Sequence, residues 1–138
     1  MSETTRKRPF TQVEPSRTPS EGWHCTHLYY RFDRRELAGL DAATIRAGRD
    51  DFIDVLQPGG ADQPERLQAS IVSGHKADFG LMLMDPDPLK IDRVHQRLLS
   101  GPLGAALQAT YSFVSISEVS TAALAAKAVR TRAEGSGM

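Results

Sequence analysis

Cysteine occurs once in the 138 residues, at Cys25, and tryptophan once, at Trp23. A single thiol excludes an internal disulfide and suits a reducing compartment. Net charge is also missing, because 17 basic and 17 acidic residues cancel. No global field therefore draws the chain to nucleic acid or to an anionic membrane. No window approaches the roughly 18 apolar residues of a membrane span, and the N-terminus lacks the apolar core of a secretory signal. These absences point to a cytoplasmic protein that binds neither nucleic acid nor membrane. The length allows one domain with tails.

Met1 to Glu21 carries Pro9, Pro15 and Pro19, many Ser and Thr, and no hydrophobic periodicity. Such a segment cannot offset the entropy of ordering and reads as a disordered tail. Arg6, Lys7 and Arg8 in it are diluted by Glu3 and Glu14 and read as solvated charge.

The stretch Arg66 to Pro88 reads as two strands joined by a tight turn at Ser73-Gly74-His75, running into a helix start at Asp87-Pro88. Its first arm alternates Leu67, Ala69 and Ile71 with Gln68 and Ser70. Its second arm is apolar on both sides, with Phe79, Leu81 and Leu83 against Gly80, Met82 and Met84. A strand apolar on both faces needs cover twice. Helices can supply one cover, and the other must come from a second sheet.

Gly22 to Asp33 is aromatic and β-branched and reads as the first strand. Thr26, Leu28, Tyr30 and Phe32 lie on one side, with Trp23, Cys25, His27 and Tyr29 on the other. From Arg34 to Gln57 a short turn precedes a helix capped by Asp41, with Ile45, Gly48, Phe52, Val55 and Leu56 on one face. Arg46, Asp50 and Asp54, at four-residue spacing, read as a solvated face. A second helix opens at Asp87, with Pro88 in its first turn and Ile91, Val94 and Leu98 as its buried stripe. Leu103 to Leu107 adds a turn, and Gln108 to Val119 is the last strand. The order β-α-β-β-α-β gives an α+β, ferredoxin-like domain over residues 22–120: a four-stranded antiparallel sheet with both helices on one face. The other sheet face expects a second ferredoxin-like domain or another copy of the chain, hence a homo-oligomer.

His24, Cys25 and His27 have the residue types of a zinc site, but the strand period sends His24 and His27 to opposite faces, so they cannot share an ion. His75 falls in the turn beside Lys76, and His95 beside the second helix stripe, as an edge or exposed residue. Cys25 has no adjacent cation to activate it. No glycine-rich loop opens a helix. These residues are therefore assigned no catalytic, cofactor-binding or metal role.

Gly22-Trp23 with His27-Leu28-Tyr29-Tyr30, then Gly74 to Phe79, then Tyr111 to Ser115 with Glu118 to Ser120, resemble the N-terminal half of the chlorite dismutase family, in particular its coproheme decarboxylase branch. The resemblance covers about Gly22 to Ser120. It implies two ferredoxin-like domains in one chain, packed as a barrel of the dimeric α+β type and assembled into rings. It also implies a haem-dependent oxidoreductase with haem or coproheme iron. The proximal histidine and the residues used in decarboxylation belong to the second domain and its connection, and none has a counterpart here. After Ser120 the chain departs from that pattern. Thr121 to Met138 is Ala- and Arg-rich, with a short helix expected over Ala122 to Val129, and reads as an added or frame-shifted ending. The resemblance thus implies the structural half of a haem enzyme, inactive alone. The alternative is a stand-alone dimeric α+β barrel module for binding or assembly, without haem chemistry.

Overall fold

The computed structural model describes residues 22–117, 129–130 and 132–135. Four strands, β1 (His24–Phe32), β2 (Arg66–Ile71), β3 (Phe79–Asp85) and β4 (Leu107–Ile116), form one sheet in the order β2-β3-β1-β4, every pair antiparallel. Helices α2 (Ala42–Val55) and α3 (Pro88–Ser100) supply Val55, Ile91, Val94 and Leu98 to the same core as Leu28, Tyr30, Leu81 and Leu83. The β-α-β-β-α-β architecture read from the sequence is therefore the one observed.

Caps fix where each helix starts. Asp87 accepts from the Leu89 N–H at 2.9 Å ahead of Pro88, whose missing N–H costs nothing there. Asp41 accepts from the Thr44 N–H at 2.7 Å, and that hydrogen bond holds its carboxyl below the usual range. Asp33 caps an additional short helix, α1 (Arg34–Ala38), where the sequence suggested only a turn.

Register sorts side chains onto two faces. Leu28 opposite Leu81, Tyr30 opposite Phe79 and Thr26 opposite Leu83 look toward the helices. Cys25 opposite Met84, His27 opposite Met82 and Tyr29 opposite Gly80 occupy the other face, together with Tyr111 and Phe113 of β4. On β2 that open face carries Arg66, Gln68 and Ser70, so it is apolar at its centre and polar at the β2 edge.

Two local expectations are corrected. The hairpin closes around Ser73-Gly74-His75 by a longer loop than the tight turn expected: the Val72 N–H donates to the Asp78 carbonyl at 3.0 Å, which leaves residues 73–77 between the paired strands. Asp78 sets the longer connection, because its backbone N–H donates to the Tyr30 carbonyl and its carboxylate accepts from the Phe32 N–H, tying the loop to β1. Ile45 is 40 % exposed, since α2 makes its contact a turn later, where Gly48 receives Leu103. Arg46, Asp50 and Asp54 are exposed, as a solvated face requires, and from that face Asp54 also pairs with Arg97 of α3 at 3.0 Å. The tail 1–21 and Val119 lie outside the described residues. Of the ending, Val129, Arg130 and residues 132–135 are helical, at and beyond the end of the helix expected there.

Candidate functional site

Where the 72–78 connection folds beside the open face, it closes one side of a cleft of about 1050 Å³. Tyr29 and Arg31 of β1 and Gln108 and Tyr111 of β4 line the other side, with His75 and Lys76 contributed by the connection. Arg31 Nη2 donates to Gln108 Oε1 at 3.3 Å. Neither Arg31 nor Lys76 has an ion-pair partner among the described residues. The nearby carboxylates are already engaged, Asp33 by the α1 backbone and Asp78 by Phe32. Chemically this is an aromatic floor with an unneutralised cationic rim, suited to a flat anion or to acidic side chains from a covering surface.

A second polar feature lies on the helix side. Tyr30 is fully buried, stacks on Phe79 at 5.0 Å, and its hydroxyl lies 2.7 Å from His95 Nδ1. Burial first, and the Asp92 carboxylate second, push the phenol well above its ordinary pKa. His95 is thus a half-buried partner of a core tyrosine and not the edge residue the sequence suggested. The alternation of Tyr30 with Leu28 marks the strand face but says nothing about what its hydroxyl meets. His95 shares a cavity of about 270 Å³ with His24, Thr26, Asp92 and Ser112.

The remaining candidates are dispersed as the strand period requires. His24 lines that helix-side cavity, His27 and Cys25 occupy the open face, and His75 sits in the connection. No group of three His, Cys, Asp or Glu side chains is placed to hold a metal among the described residues. Among those residues, too, no helix is long and apolar enough to cross a membrane.

The family model for chlorite dismutase matches residues 46–135, more than half of the chain. The chain belongs to the chlorite dismutase family. The match runs past Ser120, into the ending where the sequence suggests a departure from the family pattern. No curated protein matches the chain. Among solved structures, a haem-binding protein from Thermus thermophilus aligns with TM-score 0.60 at 22% identity, over 70% of this chain and 40% of that one. Chlorite dismutase from Candidatus Nitrospira defluvii, as a mutant in complex with cyanide, aligns with TM-score 0.59 at 11% identity, over 75% and 43%. Another mutant of that enzyme aligns with TM-score 0.61 at 11% identity, again over 75% and 43%. The chain therefore spans less than half the length of these structures, and at such identities the likeness is one of fold.

A chlorite dismutase fold raises the question of whether these residues hold a haem. An axial imidazole needs a partner that orients it and room for the macrocycle. His95 has such a partner in the Tyr30 hydroxyl, but its cavity falls below the roughly 300 Å³ at which small-molecule pockets begin. His75 borders the larger cleft but has no hydrogen-bond or ion-pair partner to orient it among the described residues. The described residues do not fit a complete haem site.

Proposed function

We propose that this chain supplies the N-terminal, non-ligating ferredoxin-like half of a haem-dependent oxidoreductase of the coproheme decarboxylase type. In that activity, peroxide and a bound iron porphyrin remove two propionate carboxyls to give haem b. The observation that carries the reading is the division of labour within the sheet. One face is filled by α2 and α3, while the other leaves Tyr111 at 60 % and Phe113 at 51 % exposure and carries one histidine, His27, with no hydrogen-bond partner among the described residues to orient it. A face of that kind asks for a second sheet, and a second ferredoxin-like domain also brings the iron ligand that this half lacks. The Arg31 and Lys76 rim opens on the same side and offers its cations to acidic groups of that cover. In this reading the protein is cytoplasmic and assembles as a homo-oligomer.

Titrating the full chain with ferric coproheme while recording the Soret band tests the proposal. The expected result is no saturable shift with the chain alone and a shifted, saturable band once a C-terminal ferredoxin-like domain of the family is added. Saturable binding by the chain alone, abolished by His27→Ala, overturns it. A symmetric dimer with no Soret shift in either mixture favours the stand-alone α+β barrel module instead.

A further inference from the structure

The open face holds a group of side chains that the haem reading does not use. Cys25 lies directly opposite Met84, and His27 directly opposite Met82. Side chains directly opposite on one face stand about 5 Å apart at Cβ, and positions two along a strand about 7 Å apart. A thiol, an imidazole and two thioethers therefore form one compact block on adjacent strands. All of them are half-buried.

The surroundings separate this block from the rest of the sheet. Gly80 lets the Tyr29 ring lie against β3, since a Cβ there would come within 2.9 Å of Tyr29 Cε1, and the ring closes one end. On the β4 side the block meets Phe113, opposite His27, with Tyr111 packed edge-on to it at 4.6 Å. On the β2 side Gln68 lies opposite Met82, and Arg66 opposite Met84. No carboxylate stands opposite the block on β2, β3 or β4. The His27 imidazole has no hydrogen-bond or ion-pair partner among the described residues, and Cys25 is a free thiol.

Thioethers alone on a sheet face are ordinary packing residues. A thiol and an unpartnered imidazole in register with them are a different donor set. Thiolate and thioether select soft, monovalent d¹⁰ ions, imidazole accepts them too, and the lack of carboxylates disfavours hard divalent ions. We infer that Cys25, His27, Met82 and Met84 form a binding site for a soft monovalent metal ion of the Cu(I) class. Binding forms a copper–sulfur bond at Cys25 and releases the thiol proton to solvent, with no change in the copper oxidation state. The inference uses only side chains of this chain and goes beyond the haem reading, and Cu(I) competition with a chelator is read without haem, so its failure is distinguishable from a failed Soret titration.

The test is an anaerobic titration of the full chain with Cu(I) against the chromogenic chelator bicinchoninate, with Ag(I) as a redox-inert stand-in. The expected result is one ion per chain, competitive with the chelator, and one proton released per ion. Losing a group that merely orients a metal ligand costs about 10–100-fold in affinity, so Cys25→Ser, which removes a ligand, weakens binding by at least about 100-fold. Met82→Leu and Met84→Leu preserve side-chain volume and fold, and each weakens binding at least about tenfold, whereas His75→Gln leaves it unchanged. Failure to compete with the chelator, or affinity indifferent to Cys25→Ser and to the paired methionine substitutions, overturns the assignment. So does equal displacement of the ion by Zn²⁺.

Discussion

Asp85 is 3 % exposed, and its two oxygens accept from the Glu65 N–H at 3.0 Å and the Asp87 N–H at 2.8 Å. One carboxylate thus joins the entry of β2 to the start of α3. Asp85→Ala leaves both part-buried donors without their acceptor and lowers unfolding free energy by about 1–3 kcal/mol in urea denaturation. Asp85→Asn recovers little of this, because an amide has one acceptor oxygen for two donors. Tyr30 behaves differently. Tyr30→Phe keeps the stack on Phe79 and loses one neutral hydrogen bond, a cost of about 1 kcal/mol. Its phenol is raised above the ordinary value near pH 10, so the unfolded chain gives up that proton first. The associated stability is complete below about pH 10 and falls by about 1.4 kcal/mol per pH unit above it, until the folded phenol itself ionises. The gap between wild type and Tyr30→Phe therefore narrows between about pH 9 and 11, as urea midpoints for the two proteins will show. Neither residue's role was legible in the sequence, because hydrogen-bond partners distant along the chain leave no local pattern.

Element boundaries show what patterning can and cannot reveal. Asp87-Pro88 followed by Ile91, Val94 and Leu98 placed α3 correctly, since a cap and a helical stripe are both local signals. The hairpin loop is longer than the tight turn expected, because Asp78 is held both by Val72 and by β1, a tie that leaves no local pattern. Gly48 is the instructive case within α2. The sequence put it on the buried stripe, and the structure adds that a Cβ there would come within 2.2 Å of Leu103 Cγ. Alanine gains up to about 1 kcal/mol in helix propensity, while overpacking a core costs about 1–3 kcal/mol. The branch carbon and both methyls of Leu103 crowd the position, so rotation alone does not relieve the clash and the second effect wins. Gly48→Ala should lower the thermal midpoint, and it should cost less when introduced into a Leu103→Ala chain, already destabilised by its own lost burial, than into the wild type.

For the molecule as a whole, the unresolved demand is at β4. This ten-residue edge strand carries no charged residue and no proline, the usual devices that keep an edge from pairing. Its side chains are exposed on both sides of the sheet: Tyr111 and Phe113 on the open face, Val114 at 72 % and Ile116 at 52 % on the helix side. Four strands of this length present a face on the order of 400 Å², comparable with the largest patch of a typical soluble monomer. A flat lid over the open face would still leave Val114 and Ile116 in water. The cover proposed above must therefore wrap around the β4 edge, pairing with its backbone as well as packing on its side chains. On that reading Phe113→Lys and Val114→Lys each abolish association in light scattering while circular dichroism stays unchanged, since neither side chain belongs to the helix-side core. Ile71→Lys, at the opposite edge and 91 % exposed, leaves association intact. A partner that sits flat on the open face would instead be lost with Phe113→Lys and indifferent to Val114→Lys. A wild-type chain that is monomeric and binds no hydrophobic dye would remove the demand altogether.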